Sequence, residues 1–161
     1  MTEKDVLLRQ IRQAFDEHSW HGTNLLGSIR GLRPDVAAWR PNPDRHNIWE
    51  LIVHAAYWKY TVVRRLTGEK RGSFALEGSN FFTRPDEQSP AALKADIQLL
   101  KHYHTRLLKT VSALKPSDLD KIPVESKVSN RDVLIGMAAH DIYHAGQIQL
   151  LKRLYHFHAS S

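Results

Sequence analysis

The sequence predicts an all-α fold, a four-helix bundle with long crossing connections. Apolar residues recur at steps of three and four through four stretches, and proline and glycine clusters fall between those stretches. Few segments show the two-residue alternation of a strand, so helix packed on helix is the economical architecture. At 161 residues the chain is long enough for one continuous core, and it reads as a single domain over 1–161.

The first helical block is expected from about Thr2 to Arg30, with Val6, Leu7, Ile11, Phe15, Leu25, Leu26 and Ile29 on its apolar face. Gly22 and Gly27 weaken its second half. Pro34, Pro41 and Pro43 then break the pattern, so residues 31–46 read as a crossing loop anchored by Trp39. The second block opens at Asn47, where Glu50 three residues later completes a capping box. It continues through WELIVHAAYWKYTVVRRL and stops before Gly68.

Residues 68–88 hold Gly68, Gly72, Gly78 and Pro85 and read as a long loop. Phe74, Phe81 and Phe82 predict that it folds back onto the bundle, and a loop of this length is more often functional than incidental, for example as a lid. Ser89 and Pro90 supply an N-cap and a first helical residue for the third block, which runs to about Leu114 and ends at Lys115 and Pro116. Residues 116–128 connect, with a short helical turn around Pro116–Asp120. Ser129 and Asp132 start the fourth block, which extends to roughly Tyr155.

A composition of 42% hydrophobic and 25% charged residues belongs to a folded chain rather than a disordered one. No stretch approaches the ~18 apolar residues of a membrane span. The opening MTEKDVLLRQIRQAF lacks the apolar centre of a secretory leader, so the expectation is a cytoplasmic protein with no membrane partner. The absence of cysteine excludes disulfides, thiolate metal sites and a cysteine nucleophile, leaving nitrogen and oxygen as metal ligands.

The net charge of +6 invites a nucleic-acid partner, yet the basic residues are scattered from Lys4 to Arg153. Their densest run, Lys59, Arg64, Arg65, Lys70 and Arg71, falls around the end of the second block and reads first as a solvated helix end that complements the helix dipole. Nucleic acid therefore ranks below a small-molecule partner.

The ten histidines are many for this length, and their spacing separates them. His140 and His144 stand four apart in MAAHDIYHAGQIQLL, with Cβ atoms ~5–6 Å apart on one helix face. They occupy the seam Val133, Met137, His140, His144, Ile148 and Leu151, in the line that points into the bundle. Two buried imidazoles need partners for a donor and an acceptor each, and a shared metal ion provides for both together. From this pair alone, a metal and a hydrogen-bonded boundary pair both remain open.

His54 sits among Leu51, Ala55, Trp58 and Val62 in the second block, again in the apolar stripe. Taken alone it reads as a hydrogen-bonded core histidine. Facing His140 and His144 across neighbouring helices, it completes the donor set of a bundle metal site. Glu50 and Tyr57, one turn before and one turn after His54, and Gln147, three residues past His144, are the candidates for orienting these rings. Glu50 reads equally well as a helix cap. His18, His21, His102, His104, His156 and His158 have no such geometry. The segment HDIYH puts Asp141 where a zinc protease motif has glutamate, and that reading is set aside.

The combination of WELIVHAAYWKY with AAHDIYHAGQIQLLKR resembles the DinB/YfiT-like family of metalloenzymes, in order and across nearly the whole chain, including the region Trp39–Pro41. The resemblance implies a four-helix bundle, often a homodimer, in which His54, His140 and His144 hold one divalent metal, zinc or nickel foremost, with water or substrate completing the shell. The ligand pattern shows no departure. Some members of that family use low-molecular-weight thiols, so the resemblance implies thiol S-transfer with an external thiol. Metal-assisted hydrolysis suits the same open three-ligand site, and a purely metal- or ligand-binding bundle is the non-enzymatic alternative. Catalytic residues beyond the metal shell cannot be named from the sequence.

Overall fold

The computed structural model describes residues 1–85 and 89–161. Its helices are α1 (Glu3–Phe15), α2 (Leu25–Ser28), α3 (Pro34–Ala38), α4 (Ile48–Thr67), α5 (Pro90–Ala113) and α6 (Asn130–Ala159), with a 3-10 turn at Pro116–Asp118. No strand occurs among the described residues. Of the expected loop 68–88, positions 86–88 lie outside the described residues.

The long helices α1, α4, α5 and α6 form the bundle. α4 packs against α5 and α6, and α1 closes the ring against both. One core layer gathers Leu7, Ile11, Val63, Leu107, Val111 and Leu134. A second, around Trp49, Ile52, Ala56, Leu100 and Ile148, lies nearer the start of α4. Each fully buried leucine or isoleucine contributes about 1.5–3 kcal/mol through removal from water.

Local chemistry sets the helix ends. Thr2 and Asp5 form a reciprocal capping box on α1, and Asn47 and Glu50 form one on α4. Gly68 ends α4 with φ 75°, a left-handed conformation that glycine adopts without a Cβ clash. Ser89 caps α5 and Ser129 caps α6.

The first block departs from expectation. Helix stops at Phe15, and a separate turn, α2, begins after Asn24, whose Oδ1 accepts the Gly27 N–H at 2.9 Å. The intervening EHSWHGT offers no apolar face, and Trp20 within it is fully exposed. The three/four spacing of Leu25, Leu26 and Ile29 therefore belongs to a local turn rather than to a continuation of α1. The crossing region 31–46 likewise contains one short helix, α3, started by Pro34.

The basic run also reads differently in three dimensions. Lys59 is not part of a solvated helix end: its side chain is 0% exposed and donates to Asp141 of α6, itself 0% exposed. Arg64 is buried too and donates to Glu125 Oε2 at 2.6 Å. Packing of α4 against α6 carries Lys59 into the core, whereas Arg64 is covered at the surface by the exposed Glu125 of the 116–128 connection.

His104 on α5 is buried and stacks on Phe15 with ring centroids 3.6 Å apart and planes 11° apart. Neither ring nitrogen has a hydrogen-bond partner among the described residues. Burial, with nearby Lys59 adding to it, pushes its pKa down to about 2. An unfolded histidine titrates near ~6.5, so below that pH the unfolded state binds the extra proton. Stability carried by neutral His104 is therefore complete above ~6.5 and declines as pH falls from there toward the folded value. His104→Phe is expected to flatten the fall in urea midpoint between about pH 7 and about pH 4. Parallel pH profiles for the wild type and His104→Phe would remove His104 from this role.

Candidate metal centre

α4 and α6 run antiparallel. Advancing from His54 to Lys59 along α4 corresponds to retreating from His144 to Asp141 along α6. This register sets His54 opposite the helical pair His140 and His144. His54 Nε2 lies 3.1 Å from His140 Nε2, and His140 Nε2 lies 3.0 Å from His144 Nε2. The ligand atoms of all three residues fall within 4.8 Å of one another, and His54 and His144 are buried.

The outer nitrogens fix the tautomers of two rings. His54 Nδ1 lies 2.9 Å from the backbone carbonyl of Asn80, which can only accept, so Nδ1 carries the proton and Nε2 presents a lone pair. His144 Nδ1 lies 2.7 Å from Gln147 Oε1 and is held in the same tautomer. His140 Nε2 thus faces two lone pairs, and a single N–H cannot serve both fully. Its own Nδ1 has no hydrogen-bond partner among the described residues.

A cation resolves that conflict by accepting all three lone pairs. Imidazole nitrogens at ~2.0–2.1 Å around a tetrahedral ion lie about 3.3 Å apart, close to the spacings seen here. Burial holds the rings neutral, as ligation requires: His54 is pushed down to about 4 and His140 to about 3, and His144 is lowered for the same reason. The donor set fits one divalent ion bound by nitrogen.

The rings open onto a cavity of about 840 Å³, whose walls include Leu51, Trp58, Phe81, Tyr143, Leu151 and Leu154. Phe81 stacks between His54 and His46, with centroid separations of 4.1 Å and 3.6 Å. Asn80, at φ 65°, spans the rim: its carbonyl meets His54, and its Oδ1 accepts from Trp58 Nε1 at 3.0 Å.

The loop after α4 is therefore packed against the centre. Phe82 is buried beneath it, and Tyr60 Oη accepts the Gly72 N–H at 3.2 Å. Arg84 Nε donates to Asp96 Oδ2 at 2.8 Å, an oxygen that also accepts from Trp49 Nε1 at 2.6 Å.

Of the candidates for orienting the rings, Gln147 bonds His144, whereas Glu50 and Tyr57 find other partners. Glu50 receives Arg40, His46 Nδ1 and the Asn47 N–H, so it caps α4 and stands one ring column away from His54. Tyr57 packs edge-on to Phe74 and Trp58. A side chain one turn along a helix shares a face, but its neighbours decide where its polar end goes. His18 and His21 are exposed, and Asp141 is turned away from the cavity toward Lys59.

Sequence reasoning missed Asn80 and His46, and it folded Phe81 back onto the bundle without assigning it to the histidines. Their positions depend on a loop whose path no periodicity describes. The one available signal was Asn80 two residues after Gly78, since asparagine tolerates the left-handed region better than most residues.

Fold and centre together define a helical-bundle protein whose interior gathers three neutral imidazoles able to hold a metal ion. The chain belongs to the DinB superfamily, whose family model matches residues 17–148. That span contains His54, His140 and His144. No curated protein and no solved structure matches the chain. No helix among the described residues is long and apolar enough to cross a membrane.

Proposed function

We propose that the protein is a metal-dependent enzyme acting on a small molecule, with His54, His140 and His144 as ligands of one zinc or nickel ion. The observation that supports it best is the convergence of three Nε2 atoms, two of them in tautomers fixed by Asn80 and Gln147. Three protein ligands are the number found at catalytic centres, whereas structural zinc normally takes four. When bound, such an ion supplies Lewis acidity and lowers the pKa of a water or thiol in its open position.

The chain's own residues supply binding and orientation. Asn80 and Gln147 hold two rings in the ligating tautomer, and Trp58 and Phe81 line the cavity with aromatic surface against His54. Transfer involving an external low-molecular-weight thiol is the first reading of the reaction. No carboxylate lines the cavity among the described residues, and a thiol whose pKa a bound ion lowered would release its proton to solvent without one.

Hydrolysis is a second reading, favoured by His46. This residue lines the cavity, and its Nδ1 lies 3.0 Å from Glu50 Oε2, which leaves Nε2 to hydrogen-bond a bound ester, while Phe81 stands between it and His54. A screen of thiol adducts and simple esters, with and without added metal, distinguishes the readings. Under hydrolysis, His46→Ala is expected to weaken ester binding about ten-fold with metal content unchanged. Thiol transfer should survive that substitution. Turnover that is indifferent to metal and to His54→Ala would refute the metal-dependent assignment, and no turnover with any substrate or metal would refute the enzyme assignment.

A further inference from the structure

The cavity beside the histidines has a polarity that specifies its ligand. It is apolar along one wall, positive at one end, and free of carboxylates among the described residues. The apolar wall comes from α6, where Leu150, Leu151 and Leu154 follow His144 toward the helix end and Tyr143 stands just before it. From His144 to Leu154 this wall extends ~15 Å, at 1.5 Å per residue.

The positive end is Arg45, just before α4. Because α4 and α6 are antiparallel, the chain ahead of α4 lies beside the C-terminal half of α6: Trp39 meets Tyr155 edge-on at 5.8 Å, and Tyr155 Oη donates to Asp35 Oδ2 at 2.7 Å. Arg45 belongs to this crossing segment and lines the same cavity as Leu154. Arg40 donates to the Arg45 carbonyl at 2.7 Å, which holds the backbone. Arg45 lines the cavity, is exposed, and has no ion-pair partner among the described residues.

We propose that the cavity binds an amphiphilic carboxylate. Its anionic group pairs with Arg45, its medium-length apolar body lies along Leu150, Leu151 and Leu154, and its far end reaches the three histidines. Only the role of that far end rests on the metal-enzyme reading; the binding of the body and the carboxylate does not. Volume agrees with this class, since about 840 Å³ falls within the ~300–1,000 Å³ of small-ligand pockets. The exposure of Leu150 (58%) and Leu154 (39%) leaves apolar surface that such a body would cover.

The test is calorimetric titration of the metal-free protein with straight-chain carboxylates from hexanoate to dodecanoate, alongside decan-1-ol and decylammonium. Affinity is expected to rise about four-fold per added methylene until the wall is filled. The carboxylate should bind more tightly than the alcohol, and the ammonium weakest of all. Arg45→Gln should reduce decanoate affinity about five-fold and leave the alcohol unchanged. Leu154→Asp, an exposed substitution the fold tolerates, should weaken decanoate about ten-fold or more while leaving zinc affinity unchanged.

Equal binding of the three headgroups, no dependence on chain length, or indifference to both substitutions would overturn the proposal. So would elution at twice 18.5 kDa with no carboxylate binding, which assigns the apolar wall to a second copy of the chain. Carboxylate binding without zinc binding would sink the metal reading and leave this one standing. Zinc binding without carboxylate binding would do the reverse.

Discussion

Replacing Asp141 with alanine is expected to destabilise the fold by about 3–5 kcal/mol, because it leaves the Lys59 ammonium buried without a counter-charge. Both side chains are 0% exposed, and Lys59 has no water to turn to. Its Nζ lies 5.0 Å from the centre of the Phe15 ring, a face too weak to replace a carboxylate. Burial pulls the lysine pKa down and the aspartate pKa up, and each partner opposes the shift of the other.

The pair joins α4 to α6 immediately beside His140, so it also fixes which residues of the two helices meet. Urea unfolding of Asp141→Ala measures the cost. The double variant Lys59→Met with Asp141→Leu is expected to recover most of it, since well-packed apolar residues often replace a buried ion pair without loss. A shift below about 1 kcal/mol for Asp141→Ala would mean that the lysine is neutral or reaches solvent by another route.

His140→Ala should abolish tight metal binding with little effect on the metal-free fold. A structural zinc site contributes roughly 10–16 kcal/mol over its ligands, so one imidazole accounts for about 3–4 kcal/mol, or on the order of 10³-fold in affinity. The metal-free protein loses little because His140 Nδ1 bonds nothing among the described residues, and its Nε2 meets two ring nitrogens that are themselves acceptors. Competitive titration against a zinc chelator, paired with urea unfolding in chelator, reads both quantities. Unchanged zinc affinity, or a collapse of the metal-free fold, would assign His140 to packing.

Periodicity and helix caps made the long helices legible. Asn47 with Glu50, Ser89 with Pro90, and Ser129 with Asp132 each mark a start that depends only on residues within one turn. The inward placement of His54, His140 and His144 followed from the same periodicity, because it places them in apolar stripes. The end of α1 was less legible: the glycines at 22 and 27 weakened the pattern, while Leu25, Leu26 and Ile29 kept a helical spacing that a single turn also satisfies.

Contacts set by tertiary packing lay beyond such local rules. Lys59 belongs to a basic run in sequence, and only the approach of Asp141, 82 positions later, makes it a core residue. The Asn80 carbonyl on His54 depends on the path of a loop, and a backbone group leaves no trace in residue identity. Glu50 was open to two roles, and the proximity of Arg40 and His46 decides in favour of the cap.

X-ray absorption at the metal edge, on protein purified without an affinity tag and loaded with one equivalent of zinc, bears most directly on the centre. The expected spectrum has imidazole scattering from three rings with Zn–N distances of ~2.0–2.1 Å, and it loses one ring in His144→Ala. A spectrum of oxygen ligands alone, or one that His144→Ala leaves unchanged, would show that the ion binds elsewhere and that the three rings merely pack together.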